Sequence, residues 1–184
     1  MQRSTIPFLI TLSTLSALGV GLLGPIYPIF VVNRFSASLV DVGALYAVFS
    51  ATAALFKIPS GRLTDMYGRK KIFLFGILIS AMCSLSYIFA SDLIQLYVID
   101  FFFGVSYALR SPALLALTTD LSDKENKGLF LGLFESAYDI TGAIAAVLSV
   151  VIVGRFGFES LFFICFGCQA TAGIFVLRST NVPC

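Results

Sequence analysis

Histidine and tryptophan are absent from the 184 residues, and acids and bases together make up only 12% of them. Each scarcity removes a class of function. Without histidine the chain lacks the commonest general base and the commonest protein metal ligand, so a hydrolytic enzyme is not expected, nor a resident metal or cofactor. A net charge of +2 carried in scattered positions offers no basic stripe for nucleic acid. The four cysteines, Cys83, Cys165, Cys168 and Cys184, lie inside apolar runs or at the extreme C-terminus, where a disulfide framework would not place them. Cys165 and Cys168 form a C-x-x-C within an apolar run, a setting that suits packing rather than redox chemistry or metal binding.

What fills the chain instead is apolar: 58% of residues are hydrophobic and the mean hydropathy is +0.97. A soluble domain carries roughly a quarter charged residues. This composition reads as an integral, all-α membrane protein in contact with lipid, because only helices and closed barrels satisfy backbone groups across a bilayer. About 20 apolar residues cross the hydrocarbon core, and the whole of 1–184 divides into six such spans at 6–32, 39–59, 72–91, 93–119, 129–153 and 160–177. The first is too long for a signal-peptide apolar region, and Pro25 and Pro28 should kink or loosen its far end. Gly43, Ala47, Ala51 and Ala54 line up along the second as a small-residue stripe suited to close helix contact. Pro59 is expected to help end that span. In the third, Ser80, Ser84 and Ser86 read chiefly as hydroxyls bonding back to their own helix.

Basic residues sort by side. Arg3, Lys57, Arg62, Arg69, Lys70, Lys71, Lys124, Lys127 and Arg178 fall on one face of this topology, and only Arg34 and Arg155 on the other. The positive-inside bias then sets both termini in the cytoplasm of a multi-pass protein of the plasma (cytoplasmic) membrane.

The densest charge lies at Gly61 to Lys71, read Gly-Arg-Leu-Thr-Asp-Met-Tyr-Gly-Arg-Lys-Lys. It is expected to be a tight polar turn on the cytoplasmic side, since a bilayer interior cannot satisfy it. Gly61, Leu63, Asp65, Gly68, Arg69 and Lys70 resemble the signature between the second and third helices of major facilitator superfamily transporters, roughly G-x-L-x-D-R-x-G-R-R/K. Met66 stands where the family usually has Arg or Lys. The resemblance implies a six-helix, three-plus-three inverted-repeat bundle, and Gly61-Arg62-Leu63 after the second span with Gly154-Arg155-Phe156 after the fifth is a faint internal echo of it. It also implies that Asp120, at the end of the fourth span, pairs with Arg69 and through it with Asp65.

Four ionisable residues lie within the fourth and fifth spans, where each costs about 2.5–3.5 kcal/mol on insertion scales and so is rare unless paired or facing a wet cavity. Asp100 and Arg110 are in the fourth; Glu135 and Asp139, one turn apart and on one face, are in the fifth. Arg110 precedes Asp120 by ten residues and Asp139 follows Gly128 by eleven, so antiparallel neighbours carry them at similar depth. Either they form an ion pair fixing the two helices, or they face a cavity as a substrate or proton site. Asp100 has no cation at its depth. It precedes Gly104 by the four residues at which the family often has an arginine, a reversal of charge that points to a cationic or proton-linked role. Tyr107 and Tyr138 are candidate cavity-lining residues. The G-x-x-x-G-P signature of the family's drug–proton antiporters is missing, since Ala143 and Ile144 follow Gly142.

The expected function is a secondary carrier for a small solute, coupled to protons or another ion. Asp100, Glu135 and Asp139 are the candidate titrating groups and Arg110 the candidate counter-ion or anion contact. The resemblance covers the first half of the family's usual twelve helices, and rocking of one bundle against another needs a second bundle. Three readings of the length stay open: a fragment of a longer carrier, a half that pairs with itself or a related half, or a six-helix partner or scaffold without transport of its own.

Overall fold

A computed structural model of the chain describes residues 5–121 and 127–178, and their side chains apart from those of 5–9, 120, 121 and 127. The elements are six α-helices: α1 (Thr5–Gly21), α2 (Tyr27–Phe35), α3 (Leu39–Tyr67), α4 (Arg69–Phe89), α5 (Leu93–Leu121) and α6 (Lys127–Arg178). Four of them, α3 to α6, are long and apolar enough to cross a membrane.

Helix limits depart from the hydropathy spans in three places. The uncharged run expected at 6–32 is two helices, because Pro25 and Pro28 each lack a donor. Hydrogen bonding continues around the break, with the Gly24 and Tyr27 amides donating to the Val20 and Leu23 carbonyls at 3.1 and 2.8 Å. At the second span, Ser38 and Asp41 form a capping box that starts α3, but Pro59 does not end it. The helix runs on to Tyr67, so most of the expected polar turn is helical and the turn itself contracts to Gly68. Hydropathy marks where lipid ends; a helix entering water still satisfies its own backbone and needs another reason to stop. Gly68 supplies one, with φ 93°, a conformation that a side chain disfavours.

The third departure is at the last two spans, which form one element interrupted at Gly157 (φ 80°, ψ 174°). The expected loop at 154–159 is reduced to that residue. Its two arms fold back on each other: Phe130 and Phe134 share a core cluster with Ala172 and Val176, while Ala145 shares another with Leu161, Phe162 and Cys165. These clusters are the two ends of one bundle. At the Gly68 end, Phe73, Leu117 and Val176 pack with Leu12; at the Gly157 end, Phe30, Leu96, Tyr87 and Phe162 do so.

Small residues bring the helices into backbone contact. A Cβ on Gly104 of α5 would lie 2.7 Å from the Phe49 carbonyl oxygen of α3, and one on Gly76 of α4 would lie 2.6 Å from Arg110 Cγ of α5. Beside the second contact the Ser106 hydroxyl donates to the Gly76 carbonyl at 3.0 Å. On the opposite side of the bundle, Gly21 of α1 meets Gly142 of α6, and the Ser13 hydroxyl donates to the Phe134 carbonyl at 2.7 Å. The Gly43, Ala47, Ala51 and Ala54 stripe is different: all four residues are exposed, and nothing lies within 4 Å of a Cβ placed on Gly43.

Candidate functional site: two separate polar centres

The four intramembrane charges divide between two places. Asp100, on α5 toward the Gly157 end, is 3% exposed. Its two carboxylate oxygens each accept from a tyrosine: Tyr87 at the end of α4 donates to Oδ1 at 2.5 Å, and Tyr27 at the start of α2 donates to Oδ2 at 2.6 Å. The tyrosine rings pack against each other at 5.4 Å, and Tyr87 stacks on Phe162 of the second arm of α6. A buried carboxylate is thus held by hydroxyl donors on two other helices. Bonds of this kind to a charged oxygen are short and strong, so Asp100 is both a joint in the fold and a group whose protonation would be felt by α2, α4 and α5 together.

Arg110 lies ten residues further along α5, roughly 15 Å away at 1.5 Å per residue. It lines a cavity of about 360 Å³ between α1, α4, α5 and the first arm of α6, together with Ser16, Tyr107, Glu135, Tyr138 and Asp139. Arg110 is 8% exposed and forms part of the cavity wall, while Glu135 and Asp139 are exposed. Arg110 and Asp139, matched in depth, line one cavity, to which α5 and the first arm of α6 both contribute. Among the described residues no ion pair joins Arg110 to either acid. Arg110 Nε and Ser16 Oγ are buried without a hydrogen-bond partner. Beside this cavity, Lys57 Nζ of α3 sits 4.9 Å from the centre of the Tyr107 ring, a cation–π distance.

Tyr107 and Tyr138 thus accompany Arg110. Asp100, seven residues before Tyr107 and so on nearly the same helical face, does not line that cavity. Its partners Tyr27 and Tyr87 were not candidates on sequence grounds, because nothing local marks two tyrosines 73 and 13 residues away. A further buried contact was also missed: Gln169 donates to the Ser84 hydroxyl at 3.1 Å. The only signal was a single side-chain amide in an apolar run.

The signature block is spread over a helix end, a turn and a helix start. Gly61, Leu63 and Asp65 lie in the last turns of α3, Gly68 between helices, and Arg69 and Lys70 in the first turn of α4. Lys70 Nζ donates to the Leu177 carbonyl at 3.1 Å, satisfying one of the acceptors left over at a helix C-terminus. Asp65 is exposed, and a Cβ on Gly61 would meet nothing within 4 Å. The expected partnership with Asp120 falls on a side chain outside those described.

The family model described as Major Facilitator Superfamily matches residues 9–183. An uncharacterized MFS-type transporter of Methanocaldococcus jannaschii is 25% identical over 159 residues, covering 86% of this chain and 41% of that protein. Multidrug resistance protein 2 of Bacillus subtilis is 28% identical, covering 97% of this chain and 45% of that one. The chain thus spans less than half the length of these relatives. Among solved structures, the POT family transporter PepTSo superposes with a TM-score of 0.78 over 96% of this chain and 37% of its own, at 16% identity, a likeness of fold alone. With apolar helices of membrane-crossing length and a family match over nearly all its residues, the chain is a multi-pass membrane protein and belongs to the Major Facilitator Superfamily of transporters.

Proposed function

We propose that the chain is half of a secondary active carrier that moves a small solute by alternating access, with the solute received at the Arg110 cavity and ion coupling carried at Asp100. The observation behind this reading is the separation of buried charge into two centres. One is a cavity with unsatisfied donors; the other is a closed carboxylate with its hydrogen bonds filled. A carrier coupled to protons needs a site that meets the solute and a titrating group that shifts helices. Asp100 touches the helix that follows the Pro25 break, and so is positioned for the second task. Glu135 and Asp139 are then solute contacts or accessory titrating groups.

The small-residue stripe on α3 supports a second six-helix bundle, whether the remainder of a longer chain, a further copy or a related chain. Such stripes serve close helix contact, and among the described residues this one is left exposed. In this reading the bundle sits in the plasma membrane with both termini in the cytoplasm, its two three-helix halves are inverted copies, and the Gly68 turn faces inward.

The test is reconstitution into proteoliposomes with an imposed proton gradient and a screened library of labelled solutes, alongside an Ala47→Cys variant crosslinked in native membrane. Gradient-dependent accumulation of a solute, with crosslinks to a second six-helix partner, is the expected outcome. Crosslinks without accumulation of any solute would favour a partner or scaffold subunit and end the carrier reading.

A further inference from the structure

We infer that the Arg110 cavity takes a small amphoteric solute, its carboxylate on Arg110 and its cationic amine toward Glu135 and Asp139. The inference rests on the carrier reading and adds the charge class and the orientation of what is carried.

An arginine side chain offers five donors in a planar fork and no acceptor. Leaving a buried donor unmade is costly, more so on a charged group. Arg110 is more than nine-tenths buried, lines the cavity, and has Nε without a partner. Its stem packs closely on α4, where a Cβ placed on Gly76 would lie 2.6 Å from Arg110 Cγ. Ser16 of α1 lines the same cavity and brings a second buried polar atom, its Oγ, without a partner. A guanidinium fork and a hydroxyl converging on one space are the donor set that a carboxylate satisfies, with the fork able to hold both oxygens at once.

The acids argue against a simple anion. Glu135 and Asp139 stand one helical turn apart on the first arm of α6 and line the same cavity, yet among the described residues neither forms an ion pair. The cavity is thus lined by one positive group and two negative ones that do not pair. A solute bearing only negative charge is repelled by the acids, and one bearing only positive charge by Arg110. A zwitterion aligned across the gap is attracted at both ends. Tyr107 and Tyr138 add aromatic surface to the lining, and about 360 Å³ suits an amino-acid-sized body.

The experiment follows unfolding of the chain in mild detergent with a thiol-reactive fluorophore, which reports exposure of the buried Cys83 and Cys165. The probes are the standard amino acids, each as free zwitterion, methyl ester and N-acetyl acid. At least one free amino acid is expected to raise the unfolding temperature, with each capped form roughly tenfold or more weaker. Arg110→Gln should lose the response. Should that variant fail to fold, Glu135→Gln with Asp139→Asn, both at exposed positions, should instead shift preference toward the N-acetyl acid. An ester or an N-acetyl acid that binds as well as the free form, or no stabilisation by any free amino acid, would overturn the assignment. Proteoliposome uptake separates the two readings: accumulation of a singly charged probe leaves the carrier standing without the zwitterion slot, whereas a zwitterion bound but never moved leaves the slot without the carrier.

Discussion

Tyr87 donates its hydroxyl to Asp100 Oδ1 at 2.5 Å, joining the end of α4 to the first third of α5 across the core at the Gly157 end. With Tyr27 on the other oxygen, this places the beginning of α2 under the control of one carboxylate. The pairing accounts for how a lone acid is kept in an apolar bundle, and it makes the stability of the fold depend on that acid's charge.

Tyr87→Phe should lower stability by about 1.5–3 kcal/mol, the usual worth of a hydrogen bond to a charged group. In an Asp100→Asn background the same substitution should cost less, because a neutral amide loses less than a carboxylate does. A double-mutant cycle read by thermal unfolding checks this, and a coupling of at least about 0.5 kcal/mol is expected for residues in direct contact.

Gly104→Ala should destabilise the bundle by about 1–3 kcal/mol, as overpacking does, because the new methyl meets the Phe49 carbonyl at 2.7 Å and backbone must move to admit it. Gly43→Ala and Gly61→Ala have open space around the added carbon and should leave the unfolding of this chain unchanged or slightly raised. Measuring all three in one detergent distinguishes tight packing from mere glycine content.

Gly157→Ala tests the hairpin in α6. Space is not the obstacle, since nothing lies within 4 Å of the added carbon. The obstacle is φ 80° with ψ 174°, a region almost confined to glycine, and a penalty of about 1–3 kcal/mol is expected. Limited proteolysis should become faster at this turn in the variant and remain slow at Gly104→Ala.

Much of this was legible in the residues, for reasons that also mark the boundary. The desolvation cost of charge singled out Asp100, Arg110, Glu135 and Asp139 without any knowledge of contacts, and the fixed rise of a helix brought Arg110 and Asp139 to one depth. Depth is not azimuth, however. The same arithmetic could not say that the two would line a cavity without pairing, nor that Asp100 would turn toward Tyr27 and Tyr87. Proline marked the break after α1 correctly but not the end of α3, because the effect of Pro59 on a helix depends on what its neighbours do with the freed carbonyl. The contraction of two expected loops to Gly68 and Gly157 depended on backbone angles that composition does not carry.

The most direct test of the two-centre account is solute-driven proton movement in proteoliposomes, followed with a pH-sensitive dye trapped inside, comparing the native chain with Asp100→Asn. The account predicts that the native chain moves protons when the transported solute is added and that Asp100→Asn still binds that solute but moves no protons with it. Proton movement of native size in Asp100→Asn would contradict it.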